Sequence, residues 1–128
     1  MRAAVCPQYG EPEVVQIEDL PTITAAPAQF LVRVSVAAVN FPDVLLIANR
    51  YQVSVPPPFV CGSEFAGEII EAAPGANGFA VGDRVTGAAM YGAFAEQVSV
   101  PPGALARIPD GVDDRTAVAG GVAFHTAY

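Results

Sequence analysis

"CGSEFAGEIIEAAPGANGFAVGDRV", residues 61–85, reads as one strand followed by a series of glycine turns. Ser63 and Glu64 lead into an apolar run, 65–73, of strand length. Pro74-Gly75 and Asn77-Gly78 turn the chain, and Gly82-Asp83 turns it again into "RVTG", the next strand. The next strand follows directly after these turns, a pattern of short strands and glycine turns and not of a doubly wound sheet.

The same pattern extends outward. "FLVRVSVAAV" alternates, with Val32, Val34, Val36 and Ala38 expected on one face and Arg33 and Ser35 on the other. Its end, "VNFPDVLLIANRY", reads as a strand-to-helix corner. Asn40 stands just before the helix, Pro42 near its start and Asp43 in its first turn, giving a short helix over 42–48. "AAVC" and 14–19 are short strands, and "TITAAPAQ" is a loop. "QVSVPPPFV" is irregular because its prolines cannot continue a helix or a central strand. "GAFAEQVSV" is a strand beginning at Gly92, and "ALARI" is a short one. A second helix over 113–119 follows "PDG", capped by Asp113 or Asp114. The sum is mainly β: a small, partly open barrel with short helices. No GxGxxG follows a strand, so no dinucleotide fingerprint is present.

The 128 residues suit one domain, and 52 % hydrophobic against 15 % charged residues argues for a folded core. Six basic and thirteen acidic residues give a net charge of −7, which excludes a phosphate backbone as a natural partner. No apolar run reaches the ~18 residues of a membrane span, and "MRAAVCPQYG" is no signal peptide. Cys6 and Cys61 lack a CxxC partner and read as buried thiols of a reducing cytoplasm.

The order "VNFPD…GSEFAG…VGDRV…GAFAE…IPDG…TAY" resembles the N-terminal, GroES-like domain of the medium-chain dehydrogenase/reductase superfamily, and within it the zinc-free quinone oxidoreductases. The resemblance covers residues 1–128. It implies a GroES-like catalytic domain over the whole chain. A Rossmann domain for NADP(H) or NAD(H) would then lie outside these residues, and the chain alone would be inactive. Zinc-dependent relatives carry C-x-x-D, G-H-E and a third ligand before a T-G-Y-like motif. Here those ligand positions hold Asn40, Ser63 and Val122, all poor zinc ligands, so no metal is expected. His125 is the one histidine and reads as structural or surface.

Without a metal to polarise an oxygen, the chemistry shifts to acceptors already activated by conjugation, a quinone or an enone, reduced with NADPH. Such a site holds the acceptor and donates hydrogen bonds to the oxygen that gains charge. The resemblance assigns Asn40 and Tyr51 to that role, and Asn40 and Thr126 to the cofactor side. From the residues alone, Asn40 reads first as a helix cap and Tyr51 as a common packing residue. Asp43 reads as a helix N-terminal charge, Glu64 as a buried hydrogen-bonding buttress and Ser63 as a filler or a substrate contact. Val44 and Leu45 stand where many relatives carry a second tyrosine, which implies a more apolar site. An enoyl reductase of the same superfamily and a non-catalytic GroES-like binding module are the alternatives. The tail 116–128 carries one charge-free run after Arg115 and is expected to be covered, either by self-association or by folding back on the barrel.

Overall fold

The computed structural model describes residues 1–119. Eight strands form two sheets: β1 (Arg2–Cys6), β2 (Gln16–Asp19), β3 (Phe30–Ala38), β4 (Phe59–Val60), β5 (Glu64–Ala72), β6 (Arg84–Ala88), β7 (Gln97–Val100) and β8 (Leu105–Arg107). Two short helices, α1 (Phe41–Ile47) and α2 (Asp114–Ala119), complete the fold. The larger sheet runs β7-β3-β5-β6-β8 and the smaller β2-β1-β4. Every pairing among these strands is antiparallel. The sheets do not close on one another, as expected of a partly open barrel. Among the described residues no helix is long and apolar enough to cross a membrane.

The main core lies under the larger sheet, where Phe30, Val32, Phe65, Ile69 and Val85 are fully buried. Burying side chains of this size stabilises by roughly 1.5–3 kcal/mol each. A second cluster joins Cys6, Leu46, Ile47, Val55, Phe59 and Cys61, packing α1 against the smaller sheet.

Three sequence expectations are corrected here. The single-face alternation of β3 does not persist to Ala38. Ladder register shifts between Val34 and Val36, leaving Ser35 as the extra residue of a bulge. Val32, Val34 and Ala37 therefore belong to the Phe65 cluster, whereas Ala38 packs with Ala66, Ile108 and Val118 under α2. The strand expected from Gly92 begins only at Gln97. Residues 92–96 instead stitch the sheets together: Gly92 N–H donates to Val60 at 2.8 Å, Phe94 N–H to Cys61 at 2.8 Å and Glu96 N–H to Arg2 at 3.2 Å. The strand expected over 14–19 is shortened because Pro12–Val14 forms a single 3-10 turn.

Gly62 links β4 to β5 with φ +94°, in the left-handed region. A Cβ there would also fall 2.4 Å from the Phe94 ring. That turn delivers Ser63 and Glu64 to the end of the larger sheet.

α2 is fixed at its start. Asp113 caps it, accepting the Thr116 N–H at 2.6 Å. Asp114 accepts from Arg84 at 2.5 Å and from the Ser35 hydroxyl at the bulge. These two donors hold the Asp114 carboxyl below the usual aspartate range, the Ser35 hydrogen bond first. Val118 is 3 % exposed and packs against Ala66 and Ile108, so α2 lies on the larger sheet. The rest of the tail lies outside the described residues.

Candidate functional site

The corner between β3 and α1 is built by two buried carboxylates. Pro42 occupies the first turn of α1, where a missing N–H costs nothing. Asp43, one residue on, turns back: its Oδ2 accepts the Asn40 backbone N–H at 2.8 Å, and its own N–H donates to the Asn40 carbonyl at 3.0 Å. Asn40 is thus the N-cap residue of α1. Its side chain also reaches away from the helix, with Nδ2 donating to Glu64 Oε2 at 3.1 Å. Glu64 opens β5 and sits opposite Ala38 in the ladder. Asp43 is 4 % exposed and Glu64 6 %. They are the buried charged side chains among the described residues, and each is satisfied as burial demands.

Beside this corner lies a groove of about 550 Å³. Pro42 and Leu46 of α1 form one wall, Tyr51 and Val53 another, and Ser63 and Met90 lie across from them. Ala89 N–H donates to the Ser63 carbonyl at 2.7 Å, tying the end of β6 to the entry of β5. No Asp, Glu, Lys or Arg lines the groove. Tyr51 is 36 % exposed, and its hydroxyl has no partner among the described residues. The groove is therefore uncharged and largely apolar, with two hydroxyls, Tyr51 and Ser63, and the Gln52 amide on its lining. Such a surface suits a neutral conjugated ring or chain with one hydrogen-bond acceptor.

The structure brings Tyr51 and Ser63 to one groove. Asn40 does not line it, although Pro42 and Ser63, the near neighbours of Asn40 and of its partner Glu64, both do. Val44 and Leu45 do not line it either; Pro42 and Leu46 are the α1 residues that do. Thr126, Val122 and His125 lie outside the described residues. Sequence reasoning missed Gln52, Val53 and the stretch Ala88, Ala89 and Met90, which also form the walls. No local signal marks them, because the groove is assembled from four separated stretches of chain.

Cys61 precedes this site. Burial pushes its thiol up to about 11, and the nearby Cys6 and Asp43 act in the same direction. It stays protonated near neutral pH, unlike a metal-ligating thiolate. Among the described residues no three His, Cys, Asp or Glu side chains come together to hold a metal ion.

Residues 26–110 match the model of the alcohol dehydrogenase GroES-like domain. The chain is 34 % identical over 128 residues to the quinone oxidoreductase-like protein 2 homolog of Nematostella vectensis, covering 99 % of this chain and 35 % of the relative. It is 30 % identical over 119 residues to a mycocerosic acid synthase-like polyketide synthase of Mycobacterium tuberculosis, covering 93 % of this chain and 6 % of that protein. The quinone oxidoreductase of Thermus thermophilus, solved also in complex with NADPH, superposes with a TM-score of 0.85 at 33 % identity, over 100 % of this chain and 39 % of that one. The chain thus spans about a third of the length of the quinone oxidoreductase-like relative. The antiparallel barrel, the corner at Asn40 and these likenesses agree: the chain belongs to the alcohol dehydrogenase GroES-like domain family, on the quinone oxidoreductase-like side of the medium-chain dehydrogenase/reductase superfamily.

Proposed function

We propose that residues 1–128 are the substrate-side domain of a zinc-independent, NADPH-dependent oxidoreductase that reduces a quinone or an enone. The observation that carries this reading is the uncharged, largely apolar groove with a Tyr51 hydroxyl that has no partner among the described residues. A neutral conjugated carbonyl fits its walls, and Tyr51 donates a hydrogen bond to the carbonyl oxygen as that oxygen gains charge. Ser63 is a second donor on the same groove, and Asn40 stands one residue from its wall.

NADPH, when bound, supplies the hydride. The described residues do not form a cradle for its phosphates: all strand pairings are antiparallel, and the net charge is −7. This reading therefore places the dinucleotide on a Rossmann domain beyond these residues, with only the nicotinamide end meeting Asn40 and Thr126. Zinc independence rests on the donor set, an amide at 40, a hydroxyl at 63 and an alkyl side chain at 122. The reading includes a cytoplasmic protein, in line with the two free, buried cysteines.

The likeness to a polyketide synthase favours a second reading, an enoyl reductase acting on a conjugated thioester. Steady-state NADPH oxidation by the full-length protein that carries this domain separates the two. Turnover with benzoquinones and simple enones, with the isolated 128-residue chain inactive, is expected. Turnover confined to enoyl thioesters would replace the first reading with the second, and turnover with neither would remove both.

A further inference from the structure

We infer that Glu64 is the positioning residue for Asn40, setting which end of its amide faces β5 and which end is left toward the start of α1. This rests on the oxidoreductase reading only for its consequence in turnover. Two facts support the inference. Asn40 is gripped from two elements at once: Asp43 of α1 holds its backbone N–H at 2.8 Å, and Glu64 of β5 holds its side-chain Nδ2 at 3.1 Å. The backbone grip fixes where the side chain starts, and the Glu64 grip fixes its rotation.

The second fact is chemical. An amide presents a donor end and an acceptor end that are nearly equal in shape, so packing alone does not distinguish them. A carboxylate accepts and does not donate. The reverse orientation would set Asn40 Oδ1 against Glu64 Oε2 with no hydrogen between them. Glu64 is 6 % exposed, so water does not relieve that repulsion. The nitrogen end therefore faces Glu64, and it keeps a second hydrogen for an acceptor nearby. A glutamine at 64 would satisfy either end of the Asn40 amide and remove the distinction while preserving volume. A packing role alone does not require this polarity; an N-cap role, in which Oδ1 accepts a helix N–H, favours the same one.

The test uses Glu64→Gln in two measurements. In the 128-residue chain, the side-chain NH₂ pair of Asn40 is assigned by its disappearance in Asn40→Ala. In the parent chain one of its two protons is expected downfield and slowed in hydrogen exchange by about tenfold or more, as a charge-assisted bond requires. Glu64→Gln is expected to return the pair to the separation of an ordinary asparagine amide and to remove that protection. Thermal unfolding of both proteins reports folding separately, and Glu64→Asp, which keeps the charge and shortens the reach, is expected to retain the downfield proton in part. In the full-length oxidoreductase, Glu64→Gln is expected to lower kcat by about tenfold with KM little changed, a fraction of the loss seen when an oxyanion donor is deleted. An Asn40 NH₂ pair with the separation and exchange of an ordinary asparagine amide in the parent chain, or a pair unchanged by Glu64→Gln in a folded protein, overturns the inference whatever the protein reduces. A full-length protein without reductase activity overturns the oxidoreductase reading and leaves the NMR result to decide this one.

Discussion

Gly67→Ala is expected to be the most damaging single-methyl change in the larger sheet. Gly67 lies in β5 opposite Val34, in the strand pair that carries both Asn40 and Glu64 at one end. A Cβ at Gly67 would stand 2.0 Å from the Arg33 carbonyl oxygen and 2.9 Å from Val32 Cγ1. Contacts under 3.0 Å are essentially never made by real Cβ atoms, so β3 and β5 must separate locally by about 1 Å. The obstacle is backbone, which no rotamer change relieves. Overpacking costs typically 1–3 kcal/mol, and each ladder hydrogen bond lost adds roughly 1 kcal/mol, for a total of about 3–4 kcal/mol. A domain with ~5–15 kcal/mol of stability would lose a large share of it. Gly78→Ala is the control. Gly78 has φ +103° with nothing within 4 Å of a Cβ, so only backbone strain of about 1–2 kcal/mol applies. Urea unfolding followed by circular dichroism suits a chain with no tryptophan. Gly67→Ala costing less than Gly78→Ala, or within ~0.5 kcal/mol of the parent chain, would refute the close approach.

The remaining expectations concern charge, thiols and the groove. Asp114→Asn is expected to cost about 1 kcal/mol at pH 7, a charge-assisted contact discounted because Arg84 is 42 % exposed. Because folding lowers the Asp114 pKa, its contribution is fully present above the unfolded value of ~3.9 and is lost as pH falls below it through the folded value; urea midpoints of the two proteins should therefore converge as the pH is lowered through that range. Cys6 and Cys61 are 0 % and 2 % exposed and both thiols are raised, so alkylation at pH 8 should need denaturant; fast labelling of the native chain would contradict that burial. Tyr51→Phe in the full-length oxidoreductase should lower kcat/KM for quinones by about tenfold; unchanged kinetics would leave Tyr51 as a wall residue.

Much of the fold is legible from local chemistry. The glycine and proline turns after β5, the corner at Pro42 and Asp43, and the Asp113 cap each rest on a residue whose backbone or side-chain preference acts within four positions. The bulge at Ser35 is not legible, because its cause is non-local: the Ser35 hydroxyl meets the Ala66 carbonyl at 3.2 Å and Asp114 from a helix 79 residues away. Residues 92–96 mislead for the same reason, since alternation reports a strand but not which strand takes its hydrogen bonds. Asn40 and Tyr51 stand out through a family pattern. That Asn40 is both a cap and a partner of Glu64 needs the ladder that sets Ala38 opposite Glu64. Met90 and Val53 carry no pattern and become visible only when four stretches of chain meet.

The groove as acceptor site is the central claim, and the sequence offers a simple probe of it. The chain has two methionines, Met1 and Met90. Met90 is 47 % exposed on the groove with Tyr51 and Ser63, whereas Met1 lines a separate hollow with Leu20, Ile23 and Tyr91. Methyl-labelled methionine therefore gives two signals, one per surface. On titration with a tetrasubstituted benzoquinone, which has no open ring position for thiol addition, the Met90 methyl is expected to shift and saturate while Met1 stays in place, and Tyr51→Phe is expected to weaken the binding. A shift at Met1 without one at Met90, or a Met90 signal that never moves, would contradict the account.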